Sequence, residues 1–438
     1  MGNKLRNLEI IKSFKTLKGN TRISILFEPM WGIPYALYNF YLSLYMKGQG
    51  ITDQQIGYLI GINFITGAIF ALASGAITDY LGRKKTTLIF DLISWPTALL
   101  IYMVANNFWM FVLASVVNSM VRIVSVSFTL MLVEDADDDQ RKTAFTVLNV
   151  MNIFSGLFTP LAGVFVKNLG IIRAERMLLG FAAVSMATMM ILRNRCYTET
   201  KVGMEILKER EEKKFSTDFR FNLFDSTLEY LKKKPSVFIV MSILVLFNVY
   251  LPIGTLNSLY FAPYLTEVLK QDESLISVLG GINSIVILLI LVFLVPRLNK
   301  KDSLWPLCAG LILQLSSLLV FIIIPPGSFL AVASAITLYA LGFGLFRPRI
   351  DSLFAEVTEG KERAGLYGLN NTLTSIFSAM AGFFSGKIYN ISPVSIYILS
   401  LVILLLCFIG LISYTILEKK AFFPRNKLPR RKKDSIQS

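Results

Sequence analysis

Apolar residues in this chain come in long stretches separated by short polar loops, most of them basic. The pattern has neither the period of two of a half-buried strand nor the single apolar stripe of a soluble helix. A helix that crosses a bilayer needs about 20 predominantly apolar residues. The stretches predict twelve such spans, over 21–46, 53–79, 83–105, 107–133, 142–167, 173–193, 235–269, 272–296, 303–325, 328–349, 363–390 and 392–417. The fold class this implies is all-α: twelve transmembrane helices in two six-helix bundles, residues 23–193 and 235–417. A middle loop over 194–234 joins them, with an N-terminal segment over 1–22 and a basic tail over 418–438.

Composition narrows the class further. The chain of 438 residues is 54% hydrophobic and 17% charged, where soluble chains carry about 25% charge. A soluble enzyme, a coiled coil and a disordered chain are excluded. The three cysteines, Cys196, Cys308 and Cys407, are widely spaced and odd in number, so no disulfide framework is expected. With no histidine anywhere, the commonest metal ligand and the usual acid–base group near neutral pH are missing. Neither a metal nor a cofactor is expected, and proton chemistry falls to carboxylates.

The net charge of +15 reads as topology. With both termini cytoplasmic, only Lys47, Lys167, Arg173, Arg176, Lys270 and Lys387 of the 44 basic residues fall outside, and Arg122 lies within a span. Positively charged loops stay on the cytoplasmic side. The basic residues sit in separate loops, so no nucleic-acid partner is expected. The tail over Arg425–Lys433 is placed to meet anionic lipid head groups. The middle loop opens with charges from Lys208 to Lys214. It then mixes Phe219, Phe221, Phe224, Leu228 and Leu231 with polar residues, which suggests a helix on the inner surface.

The halves repeat one another. Glu134 and Arg141 recur as Glu356 and Arg363, and Asn149 as Asn371. Gly61-Ile62-Asn63 recurs as Gly281-Ile282-Asn283 at almost the same offset. Duplicated helical units with a site between the repeats are a common transporter plan. Between spans 2 and 3 stand Gly75, Asp79, Gly82, Arg83 and Lys84. Gly75 is expected to let span 2 pack closely against a neighbour, and Gly82 to permit the tight turn.

With this loop the chain resembles the major facilitator superfamily of secondary transporters. Gly75, Asp79, Gly82, Arg83 and Lys84 match that family's 2–3 loop signature, with Ile77 where a small residue is usual. Arg122 matches the family's membrane-embedded arginine of span 4. Pro160 and Gly163 echo its antiporter signature in span 5, with Ser155, Thr159 and Val164 in place of glycines. The second-half loop signature is reduced to Pro296, Arg297, Asn299, Lys300 and Lys301. The resemblance implies alternating access. It also implies a cytoplasmic latch of Asp79, Arg83 and either Glu134 or Asp135 that holds the outward-open state and breaks as the protein opens inward.

Charges inside spans are costly and mark function by default. Glu28, Asp91 and Arg122 lie at similar depths and are expected to share one layer, with Arg122 paired to Glu28 or Asp91. Glu28 is read as a proton-coupling carboxylate or a structural ion pair. Asn118, Arg122, Ser125 and Thr129 follow at helical spacing. Trp31, Tyr35, Tyr38 and Tyr45 share a face of span 1 with Glu28; the first three are a setting for flat, amphipathic or cationic cargo, and Tyr45 is expected to anchor the span at the membrane interface. Asn149 and Asn152 of span 5 and Asn248 and Asn257 of span 7 complete the expected proton and substrate cavity. Arg347, Arg349 and Asp351 are expected to form the second half's latch.

Without a Gly-x4-Gly-Lys-[Ser/Thr] loop, ATP is not the direct driver. The leading expectation is a monomeric, proton-coupled secondary transporter of a small organic solute in a bacterial inner membrane, leaning to export of amphipathic compounds. Uptake of a sugar or other metabolite is the alternative within that class. A non-transporting sensor or scaffold on the same fold is the alternative outside it. Catalysis is not expected.

Overall fold

The structure, a computed structural model, describes residues 16–212, 230–256, 258–295, 304–358 and 363–422. All regular secondary structure among them is helical. Ten helices are long and apolar enough to cross a membrane: Asp53–Leu81, Arg83–Val104, Phe108–Val133, Asp139–Leu169, Ile171–Cys196, Pro235–Gly254, Glu273–Leu294, Trp305–Ile323, Phe329–Val357 and Val394–Leu417. They correspond to spans 2–10 and 12. The other two predicted spans are helical and atypical. Span 1 is a chain of pieces, Gly19–Phe27, Pro29–Tyr38 and Leu42–Gly48. Span 11 is one helix, Arg363–Ile391, with Asn370, Asn371, Thr372, Thr374, Ser375 and Ser378 along it.

Local chemistry explains where helices begin and bend. Thr52 accepts from the Gln55 amide while the Gln55 side chain accepts from the Thr52 amide, a reciprocal cap on span 2. Asn107, Asp137 and Asp272 accept amide hydrogens at the starts of spans 4, 5 and 8. Pro29 opens the second piece of span 1 and Pro34 lies inside it; neither offers an amide hydrogen to the helix ladder. Pro96 sits in a widened turn, Ile93–Thr97, that splits span 3. Span 7 stops at Gly254, two residues after Pro252, and resumes as Phe261–Pro263 and Tyr264–Val268.

The halves meet through glycines at the end away from the basic loops. A Cβ on Gly57 would lie 2.7 Å from the Gly382 carbonyl and 2.8 Å from the Gly386 amide, and one on Gly386 only 2.6 Å from the Gln54 Cα. Spans 2 and 11 therefore touch backbone to backbone. Spans 5 and 8 do the same work: Gly163 is packed against Ser274, Gly280 against Phe40 and Thr159, and Gly281 against Pro160. The repeated motif is used twice, since Gly61 abuts Phe383 and Gly281 abuts Pro160. Contact without hydrophobic drive requires such small residues in lipid.

At the basic end the spans part. Gly75 is exposed, and its missing Cβ would meet nothing within 4 Å, contrary to the close packing expected there. Span 2 approaches span 11 at Gly57 and Gly61 and diverges before reaching Gly75. The expected surface helix carrying Phe219, Phe221, Phe224 and Leu228 lies outside the described residues, as do Arg297–Lys301 and the tail over Arg425–Lys433.

The glycine contacts predict that Gly57→Val shifts the protein away from this arrangement. In a cysteine-free background carrying Ser385→Cys, buried beside that contact, labelling by a membrane-impermeant maleimide should rise several-fold. An unchanged rate would refute the role of the backbone contact.

Candidate functional site

The loop between spans 2 and 3 is built around Gly82. Its φ of +83° suits glycine, and a Cβ there would lie 2.7 Å from the Glu199 carboxylate. Glu199 accepts from the Arg83 amide at 3.1 Å and the Lys84 amide at 3.0 Å, capping the exposed amides at the start of span 3. The buried Arg83 guanidinium reaches Asp79 at 2.9 Å and Glu134 at 3.2 Å. Thr200 donates to Glu134, and the Lys201 amide donates to Asp135 at 3.2 Å. The segment after span 6 thus locks onto the loop, with its helix Lys201–Glu212 following.

This corrects the expected latch. Asp79, Arg83 and Glu134 are joined, but all belong to spans 2, 3 and 4 of the first half. The network is intact while the halves are parted at that end. Groups carried on one rigid unit do not separate when the two units do. Glu199 and Thr200 were missed because a carboxylate in a polar linker carries no periodic signal. In the second half, Arg347 bonds Asp351 at 2.8 Å and Asn248 at 2.7 Å, and Arg349 bonds Glu356 at 2.7 Å. Asn248 is therefore a tie between spans 7 and 10, outside the cavities below. The Arg363 side chain is outside the described set.

Three cavities adjoin one another through shared wall residues. The first, about 140 Å³, is walled by Glu28, Trp31, Asp91, Trp95, Ser125 and Arg193 among others. Asp91 is ion-paired with Arg193, both almost fully buried. The Arg193 guanidinium also lies 5.1 Å from the Phe128 ring centre and 5.6 Å from that of Tyr197. Arg122 pairs with neither carboxylate, against expectation. Arg193, at the last turn of span 6, takes the place foreseen for Arg122.

Arg122 instead lines a cavity of about 430 Å³ between spans 2, 4 and 11, with Gly67, Ser125, Asn371, Thr372, Thr374 and Ser375. It faces the gap between the halves. The third cavity, about 300 Å³, lies where spans 1, 5, 8 and 10 meet, and Trp31, Tyr35, Asn39, Asn152, Asn283 and Phe343 line it. Trp31 and Tyr35 stack at 5.0 Å and 10°. Trp95 stands edge-on to both, at 5.1 Å and 5.9 Å. Asn283 Oδ1 is buried with no partner.

Other candidates fall elsewhere. Tyr38 is buried in the core and borders none of these cavities. Tyr45, also buried, donates to backbone carbonyls of Tyr102 and Met103. Asn118 donates to the Ser94 carbonyl at 2.9 Å, tying span 4 to span 3. Asn149 is exposed, one turn from Asn152, and lines none of the three cavities. Asn257 lies outside the described residues.

Ionic closure between the halves sits at the end opposite the basic loops. Lys47 Nζ bonds Asp53 at 2.8 Å and, across the junction, Glu267 at 2.5 Å. It also lies 6.0 Å from the Tyr389 ring centre. Tyr41 donates to the Glu273 carbonyl at 2.9 Å and Tyr260 to the Asp53 carbonyl at 3.1 Å.

Two repeated helical halves, joined at one end and enclosing cavities with buried charges, define a membrane transporter. The chain matches the sequence profile of the Major Facilitator Superfamily over residues 31–260 and again over 250–436, and it belongs to that family. It is 23% identical to the quinolone resistance protein NorA of Staphylococcus aureus (strain MRSA252) over 353 residues, 80% of this chain and 84% of that protein. Its fold is similar to crystal structures of the nucleoside transporter NupG. One of them, of a mutant form, gives a TM-score of 0.68 at 15% identity, covering 91% of this chain and 100% of that one. A second NupG structure gives 0.66 at 15% identity, covering 92% and 100%.

Two outcomes are expected. Arg193→Met strands a buried carboxylate at Asp91, a change worth about 3–5 kcal/mol in buried pairs. It should sharply lower the melting temperature in detergent, and adding Asp91→Asn should recover much of the loss. At the closed end, Lys47→Glu or Glu267→Lys alone should speed impermeant labelling of a cysteine at 385, while the charge swap restores slow labelling. Additive effects of the two changes would refute the cross-junction pair.

Proposed function

We propose that the protein is a monomeric secondary active transporter that moves a flat, amphipathic organic solute across a bacterial inner membrane by alternating access, exchanging it for protons in the direction of export. The observation that carries this reading is the aromatic cavity at the junction of the halves, sharing Trp31 with the pocket of Glu28, Asp91 and Arg193. Stacked rings suit a planar solute, and the amides of Asn39, Asn152 and Asn283 suit its polar edge. In the neighbouring pocket two carboxyls face one guanidinium, so a single added proton brings it to neutrality. That charge balance favours a proton as coupling ion.

With the basic loops on the cytoplasmic side, the arrangement is an inward-open one, sealed outside by the glycine contacts and Lys47–Glu267. The Arg83 cluster then acts as the rigid heel of the first half, and the junction at Lys47 as the part that opens. Quinolones and nucleosides, the compounds named for the two relatives, each contain a flat heteroaromatic ring, which supports the same cargo shape. Transport of a metabolite is the second reading, supported by the likeness of the fold to that of a nucleoside transporter.

Purified protein in liposomes loaded with a pH-sensitive dye tests the proposal. A planar aromatic solute should drive proton movement, and an imposed pH gradient should drive solute flux. Glu28→Gln should keep solute binding, read by tryptophan quenching, and lose coupled proton movement. Trp31→Ala should weaken binding roughly tenfold. Solute flux indifferent to the gradient would refute proton coupling while leaving transport in place.

A further inference from the structure

Arg122 is a cation inside a membrane span, and its guanidinium has no hydrogen-bond or ion-pair partner among the described residues. The two buried acids nearest in depth do not supply one: Asp91 is held by Arg193, and Glu28 borders the Asp91–Arg193 pocket. The arginine is accommodated all the same. Its stem packs beside Gly67 of span 2, where a Cβ would lie 3.4 Å from its Cγ and Nε. Across the 430 Å³ cavity, span 11 presents Asn371, Thr372, Thr374 and Ser375, and the Thr374 hydroxyl is itself buried without a partner. An unpaired guanidinium and an idle hydroxyl line one space, and no carboxylate does. Ser125 borders both this cavity and the carboxylate pocket, whose other neighbour through Trp31 is the aromatic cavity.

We propose that Arg122 is the counter-charge for an anionic group on the cargo, so that the transported solute is a planar aromatic acid. This rests on the reading of the cavities as a cargo path and goes beyond it by fixing the charge of the cargo. An oxyanion suits the site because a guanidinium offers paired donors in a plane and the hydroxyls of span 11 add further donors. A cationic solute meets repulsion at the same place. The head group of an anionic lipid has the same chemistry, and the test separates the two.

Binding of 2-naphthoate and of its neutral counterpart 2-naphthamide is compared by tryptophan quenching of the full chain in phosphatidylcholine nanodiscs. The acid should bind at least tenfold more tightly than the amide. Arg122→Gln should abolish that preference while still binding the amide, which reports an intact fold, and Arg122→Lys should retain part of it. The preference should survive when phosphatidylglycerol is added to the discs. Equal binding of acid and amide by the wild-type protein overturns the anionic cargo and leaves the aromatic cavity standing. A preference that persists in Arg122→Gln overturns the role of Arg122. Loss of the preference in phosphatidylglycerol assigns the site to a lipid head group and overturns the cargo assignment. Binding of neither compound sinks the proposed cargo class and this inference together.

Discussion

The structure depends on the backbone-to-backbone approach of glycines at one end of the bundle. Lipid gives apolar helices little reason to prefer each other, so the halves adhere chiefly where main chains come near enough for dispersion to accumulate, with the bonds of Tyr41, Tyr260 and Lys47 beside them. Gly57 and Gly61 against Gly382, Phe383 and Gly386, and Gly163, Gly280 and Gly281 against span 5, span 8 and Phe40, provide that nearness twice, at positions related by the internal repeat. Because the approach is confined to one end, the remainder of the junction is free to stand open, and the cavities exist in the space left over.

Charge is distributed half by half. The Arg83 cluster and the Asp91–Arg193 pair lie wholly within the first half, and the Arg347 and Arg349 pairs wholly within the second. Such pairs stiffen a unit without opposing its motion against the other. Lys47 alone among the ion pairs described here reaches across, to Glu267. Both ends of that bridge keep contact with solvent, where an ion pair is weak and easily exchanged for water.

Much of the fold was legible because hydrophobic length is a strong signal in lipid: the ten apolar helices fall within a few residues of their predicted spans, the lengthened end of span 10 and the divided span 7 aside. The break in span 1 was less visible, since only Pro29 and Pro34 mark it. Of the site residues named from the sequence, Glu28, Trp31, Tyr35, Asp91, Arg122 and Asn152 line cavities. Partner identity was not legible. Helical spacing tells which residues share a face of one helix and nothing about rotation against the next, so the sequence offers Arg122 to Glu28 or Asp91 whereas Arg193 holds Asp91. The amides of Asn118 and Asn248 went to structural ties for the same reason. Glu199, Thr200 and Glu267 sit at helix ends or in linkers, where no periodicity singles out a residue.

One indole ring has two rooms for neighbours. Trp31 is at once a wall of the aromatic cavity and of the pocket holding Glu28, Asp91 and Arg193. Any tilt of that ring to admit a guest on one side alters the shape and wetness of the other. Thermodynamic linkage makes such an influence mutual: whatever factor a guest imposes on protonation, protonation imposes on the guest. In the proposed exchange the link between solute and proton therefore passes through one side chain, and a smaller residue there would leave two occupancies that no longer inform each other.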